Sequence, residues 1–271
     1  MFELISKVKL NRLLSSGVRA GLLTGLLYLA FLASEAISAN FSINPTSLEL
    51  SGNAKSGVFS VINSGAEKMN CQIELKEWAQ DASGKDVYTD TKDIIFFPKI
   101  MTVEPNEQRA IRIGFKGPLG AKEKTYRLFV EEIPSQKKAA DAQAPGKISA
   151  GLTIAFRFAT PIFVKPTRPQ ESGRVESMNM SNGVVGAVIK NTGNVHFKLQ
   201  NVIFRGTAVD GKELFSQDVS GWYILSGMAR RYEVTVPKES CAGLAAIEVI
   251  AQAEAIALKE KLTVQRTMCA P

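Results

Sequence analysis

Residues 146 to 166, GKISAGLTIAFRFATPIFVKP, set an apolar or small side chain at nearly every even position: Ile148, Ala150, Leu152, Ile154, Phe156, Phe158, Ile162 and Val164. Side chains that repeat every second residue share one face of a β-strand, whereas a helix would repeat them every three or four. From Ile148 to Val164, at roughly 3.3 Å per residue, such a strand runs about 55 Å, two to three times the usual length. A polar stretch rich in Lys, Ala and Pro, EIPSQKKAADAQAPGKIS, separates it from the preceding strand TYRLFVEEI. The segment is either a core strand with a frayed start or the bearer of an apolar face that something else must cover.

The rest of the chain is also written in strands. FSINPTSLELS, GVFSVIN, CQIELKEW, RAIRIGF and TYRLFVEEI are short, rich in β-formers and punctuated by Gly, Asn, Pro or Lys clusters. Seven or so strands fit between Asn40 and Val164, the count and spacing of an immunoglobulin-like sandwich. After the Pro-rich polar KPTRPQESG a second set begins with RVESMNM, GVVGAVIKN and VHFKLQNVIFRGTAV. The fold class expected is therefore all-β, with two immunoglobulin-like β-sandwich domains in tandem: residues 40–166, a linker at 167–172, and residues 173–271. The turns at Ile62 to Gly65 and Ile189 to Asn194 hold similar places in each half, consistent with a repeated plan.

Residues 1–39 carry Lys7, Lys9, Arg12 and Arg19, then the uncharged run Ala20 to Ser34, then the small residues of AISAN. That order is a secretory signal peptide. Fifteen uncharged residues fall short of the roughly 20 that span a membrane, so no stable membrane insertion is expected after cleavage near Ala39. Four basic and two acidic residues leave with the leader, and the net charge falls from +7 to +5. The remaining basic residues are interspersed with acidic ones, which is no nucleic-acid footprint. An exported chain meets an oxidising compartment. Cys241 and Cys269 flank two apolar segments that read as a hairpin folding back near Ala255, equidistant from both, and a disulfide between them is expected. Cys71 alternates with Met69, Ile73 and Leu75 and reads as a buried small hydrophobe.

Catalytic signals are thin. His196 is the single histidine and, with three scattered cysteines, cannot furnish a zinc site. There is no Gly-rich phosphate loop and no Gly-x-Ser-x-Gly elbow. The reading is a non-enzyme without metal or cofactor.

FFPKIMTVEPNEQRAIRIGF at 96–115, followed by EKTYRLFVEEIP at 123–134, resembles the first domain of periplasmic pilus-assembly chaperones of the chaperone/usher pathway. INPTSLEL, the VINSG turn and the closing FVKP fall in matching order, so the resemblance covers about Phe41 to Pro166. The second half resembles the family mainly in length and in IKNTGNVHFKL. The resemblance implies a periplasmic protein that lends the strand before the linker to pilin-like subunits lacking one of their own, then delivers them to an outer-membrane usher. Its donor side chains would be Leu152, Ile154, Phe156 and Phe158, with Ile148 extending the set, and pairing would be strand addition.

One departure matters. Members of the family hold the subunit's terminal carboxylate with an Arg on the first strand and a Lys on the donor strand, and these positions are Ser47 and Pro161 here. The chain therefore resembles a divergent, archaic-type branch, with Arg127 as first candidate for the anchor, because a guanidinium binds a carboxylate through two parallel hydrogen bonds, followed by Arg157 and Lys165. The alternative is a secreted β-sandwich with an adhesive or structural role.

Overall fold

The computed structural model describes residues 41–134 and 155–269. The segment read as a signal peptide and the expected donor positions Ile148, Leu152 and Ile154 lie outside the described residues. Among the described residues no helix is long and apolar enough to cross a membrane.

Ten strands build the first sandwich: β1 (Phe41–Asn44), β2 (Leu48–Leu50), β3 (Ser56–Asn63), β4 (Met69–Gln80), β5 (Asp86–Thr89), β6 (Ile94–Phe97), β7 (Ile100–Val103), β8 (Gln108–Phe115), β9 (Lys124–Ile133) and β10 (Arg157–Val164). One sheet runs β1-β3-β8-β6 and the facing sheet β2-β10-β9-β4-β5, with β7 also on β4. The sequence predicts about seven strands, and two prolines account for much of the difference. Pro45 splits FSINPTSLEL so that β1 joins β3 while β2 crosses to β10; Pro98 splits FFPKIM so that β6 joins β8 while β7 crosses to β4. Proline has no N–H for a ladder, and at these two positions the strand ends and the chain changes layers at the corner.

Alternation fills the core between the sheets. Phe59 and Val61 on β3 and Ile111, Ile113 and Phe115 on β8 meet Cys71, Ile73 and Leu75 on β4 and Tyr126, Leu128 and Val130 on β9. Full burial of side chains this size contributes about 1.5–3 kcal/mol each. Cys71 is wholly buried and unpaired; burial, reinforced by Glu132, pushes its thiol up to about 11, which makes it a poor nucleophile.

The second sandwich contains β11 (Gly173–Ser181), β12 (Val184–Asn191), β13 (Phe197–Lys198), β14 (Asn201–Thr207), β15 (Glu213–Ser220), β16 (Tyr223–Ile224), β17 (Ala229–Thr235), β18 (Ala246–Gln252) and β19 (Ala257–Thr263), with one helical turn, α1 (Lys238–Cys241). Sheets β11-β12-β17 and β15-β14-β18-β19 enclose the core, and β13 and β16 form a two-stranded ribbon. Asn182 and Gly183, both at positive φ, make the two-residue turn between β11 and β12, a geometry that matches the right-handed twist of the strands it joins.

Cys241 and Cys269 form a disulfide with Cα atoms 5.9 Å apart, but they are not facing strand positions of the expected hairpin. In the β18–β19 pairing Gln252 faces Ala257 and Ala246 faces Thr263, which centres the turn half a residue short of Ala255. Cys241 ends α1, and Cys269 follows the 3-10 turn Arg266–Met268. Both chain ends leave the ladder before the cysteines, so the bond joins two turns.

The residues between the sandwiches are pinned. Lys165 N–H donates to Leu50 O, Gln170 N–H to Asn194 Oδ1, and Asn194 Nδ2 to Arg168 O. The described residues accordingly form one compact unit.

Candidate functional site

The outer face of the β2-β10-β9-β4-β5 sheet is set by residues out of phase with the core. On β9 these are Thr125, Arg127 and Phe129, on β10 Pro161 and Phe163, and on β4 Trp78 and Gln80. At one end of this face the second sandwich closes over Trp78 and Phe163 with Leu225, Tyr223 and Met228. Gln80 fixes the register of that closure: its Nε2 donates to Tyr223 O at 2.9 Å and its Oε1 accepts from Leu225 N at 3.1 Å. His196 belongs to the same join. Its ring stacks on Phe163 with centroids 3.5 Å apart, Nδ1 lies 2.7 Å from Glu123 Oε2, and its backbone N–H donates to that oxygen.

Arg127 stands where this interface gives way to the open part of the face, cross-strand from Pro161. It is only 4% exposed. Its guanidinium carbon lies 3.8 Å from the centroid of the Trp78 ring, with Tyr223 at 5.5 Å and Trp222 at 5.8 Å, an arrangement in which ring quadrupoles stabilise a cation. Nη1 donates to Ala159 O at 3.2 Å, while Nε and Nη2 are buried without a hydrogen-bond partner. Burial lowers the affinity of the group for its proton, and Tyr88 and Asp86 oppose that effect; a guanidinium stays cationic at neutral pH regardless.

The other two candidate cations are already paired. Arg157 lies over the Phe129 ring at 4.2 Å and reaches Glu74 and Glu131 at 3.4 Å. Lys165 meets Glu49 at 2.7 Å on the wall of a cavity of about 400 Å³ that also includes Ser47 and His196. The three cations therefore do not converge; among the described residues Arg127 alone of the three holds no carboxylate, and its Nε and Nη2 are buried without a hydrogen-bond partner.

The second element of the site is the edge of β10. Along its full length β10 pairs with β9, but on the other side β2 covers only Ile162 to Val164. Arg157 to Pro161 has no strand on that side among the described residues. Phe156 and Phe158 point along this open stretch to the core and are only partly buried there; Phe158 meets Phe41 of β1 edge to face at 4.7 Å. The result is a mouth between the two sheets, rimmed by aromatic side chains and an unpaired backbone edge. Exposed edges of this kind are templates for another strand.

Sequence reasoning names the two phenylalanines and Arg127 as candidates but gives no sign of the aromatic wall. Trp222 and Tyr223 come from a segment about a hundred residues away, and no local pattern marks them as neighbours of Arg127. No cluster of possible metal ligands occurs among the described residues.

Residues 40–170 match the family model of pili and flagellar-assembly chaperones, PapD N-terminal domain. A search of curated proteins finds no significant match in sequence. Among solved structures, the chain is similar to the archaic chaperone–usher Csu pilus complex CsuC–CsuE of Acinetobacter baumannii, at 19% identity and TM-score 0.56, covering 81% of this chain and 98% of that one. The YadV chaperone is similar at 14% identity and TM-score 0.54, over 83% and 100% of the two chains. The SafB chaperone complex with the SafA pilin of Salmonella enterica follows at 14% and 0.50, over 85% and 99%.

Proposed function

We propose that this chain, whose residues 40–170 match the model of the non-enzymatic pilus-assembly chaperones, acts as such a chaperone in the periplasm, lending β10 and the residues before it to pilin-like subunits and handing them to an outer-membrane usher. The observation that carries this reading is the free edge of Arg157–Pro161 beside the half-covered Phe156 and Phe158. A subunit strand aligned there would complete the backbone ladder, and the alternating side chains would enter its groove. Phe156 and Phe158 would supply one end of the inserted row and Leu152, Ile154 and Ile148 the other. Each is worth up to about 1.5–3 kcal/mol when fully buried, enough in sum to offset the ordering of two partners.

Arg127 is the group we assign to the subunit's terminal carboxylate. It sits across from Pro161, the position that the family fills with lysine, and keeps two unpaired N–H groups. Arg157 and Lys165 rank below it because each already holds a glutamate.

The test is co-expression in a bacterial periplasm with the small exported proteins encoded beside this gene. A one-to-one complex that is lost in Phe156→Asp, while the variant stays folded, is the expected result. Equal binding by the variant would remove strand donation and move the adhesive reading ahead.

A further inference from the structure

Five buried side-chain polar atoms lack a hydrogen-bond partner among the described residues, and three of them sit in one stack: Nε1 of Trp78 and Nε and Nη2 of Arg127. All three are donors. Both side chains are more than nine-tenths buried, and the indole that carries the first donor is the ring on which the guanidinium lies. Leaving three donors unmet in one place is costly unless an acceptor arrives. The carboxylate of Asp86 is engaged by Gln80 Nε2 at 3.2 Å and Tyr88 OH at 3.4 Å.

We infer that Trp78 and Arg127 form a single three-donor cradle for one chain-terminal carboxylate, with the indole N–H as a second binding group beside the guanidinium and Trp222 as the outer wall. This rests on the assignment of Arg127 made above and adds a residue to it. A carboxylate offers two oxygens and about four lone-pair directions, so it can take a guanidinium fork and one further donor. The indole is a donor only and carries no charge, so it favours a carboxylate over an amide, whose NH2 would face another N–H.

Trp222 bounds the stack on its outer side, its ring centroid 5.8 Å from the guanidinium carbon. Trp222 follows Gly221, where a Cβ would stand 2.0 Å from Leu199 O; the backbone is held against β13's end while the Trp222 ring stays 37% exposed. Nε and Nη2 of Arg127 are closed from solvent, so binding of an acid requires that ring to turn aside.

The chain has two tryptophans, so a 15N-labelled sample gives two indole signals, assigned with Trp222→Phe. Acetate is the probe and acetamide, at matched ionic strength, its neutral control. Acetate is expected to move the Trp78 indole proton and the Arg127 Nε proton downfield together, acetamide to move neither, and Trp78→Phe, which keeps an aromatic ring beneath the guanidinium, to weaken acetate binding about 2- to 10-fold. Movement of the Arg127 signal without the Trp78 signal would overturn the cradle and leave the Arg127 anchor standing. Movement of neither, in the parent and in the unwalled Trp222→Ala, would remove both. The shifts in the parent protein decide the matter even if Trp78→Phe folds poorly.

Discussion

The two sandwiches end a strand with the same device and then diverge. In the first, buried Asn63 donates through Nδ2 to Glu67 O and Val103 O and accepts through Oδ1 from Gly65 N; in the second, buried Asn191 donates to Val195 O and Ile224 O and accepts from Gly193 N. Each ties the turn four residues on to a strand far away in sequence. Yet the first sandwich stops at an open mouth along β10, whereas the second is closed at its end by a disulfide. A shared plan for turning corners is compatible with opposite finishing: one half keeps an unpaired edge along Arg157–Pro161 among the described residues, the other is sealed and supplies Trp222 and Tyr223 to the wall around Arg127.

The largest effect that separates core from mouth is expected from a pair of phenylalanines. Phe59 is fully buried, so Phe59→Ala should cost about 3–5 kcal/mol in urea unfolding, whereas Phe158→Ala, at the open rim, should cost about 1 kcal/mol or less and yet weaken subunit capture. Equal stability losses would mean that the rim is ordinary core.

Next in size is the seal. Breaking a bridge that spans 28 residues with Cys241→Ser and Cys269→Ser should cost about 2–4 kcal/mol. Hydrogen exchange should show the loss in β18 and β19 and leave β3 and β8 protected; uniform loss would show that the halves unfold as one.

The smallest effect is a difference in acid sensitivity. Asp93 accepts from Lys124 Nζ at 2.6 Å and from the Tyr126 hydroxyl at 3.1 Å, and the Lys124 hydrogen bond leads in holding its carboxyl below the ordinary range. Glu176 in the second sandwich is also held low, by Lys190 first and then Arg174, but both of its partners are surface side chains, where such pairs contribute little, whereas Asp93 also holds the buried Tyr126. A carboxylate depressed in the folded state stabilises above its unfolded pKa, and that contribution is lost as pH falls through its folded value. Unfolding midpoints from neutral to acid pH should therefore lose part of their slope in Asp93→Asn and stay parallel to the parent in Glu176→Gln.

Much of the first sandwich was legible because its strands alternate: β4 and β9 announce their core faces in MNCQIEL and TYRLF. The paired asparagine turns were legible as similar stretches. What stayed hidden depends on contacts between distant residues. FSINPTSLEL reads as one strand until Pro45 has to be placed in a ladder, and His196 reads as a residue beside a turn until Phe163 and Glu123 arrive from the other half. For the site, the sequence points to Arg127 through a missing lysine at Pro161, but its shortage of partners is visible only once Trp78 and Trp222 surround it.

The crossings at Pro45 and Pro98 carry a mechanical consequence. Because β1 runs on into β2 and β6 into β7, the two layers of the first sandwich are one covalent fabric at two corners. Layers joined this way cannot slide apart at those corners, so a subunit that takes β10 as proposed would have to conform to a frame of fixed gauge.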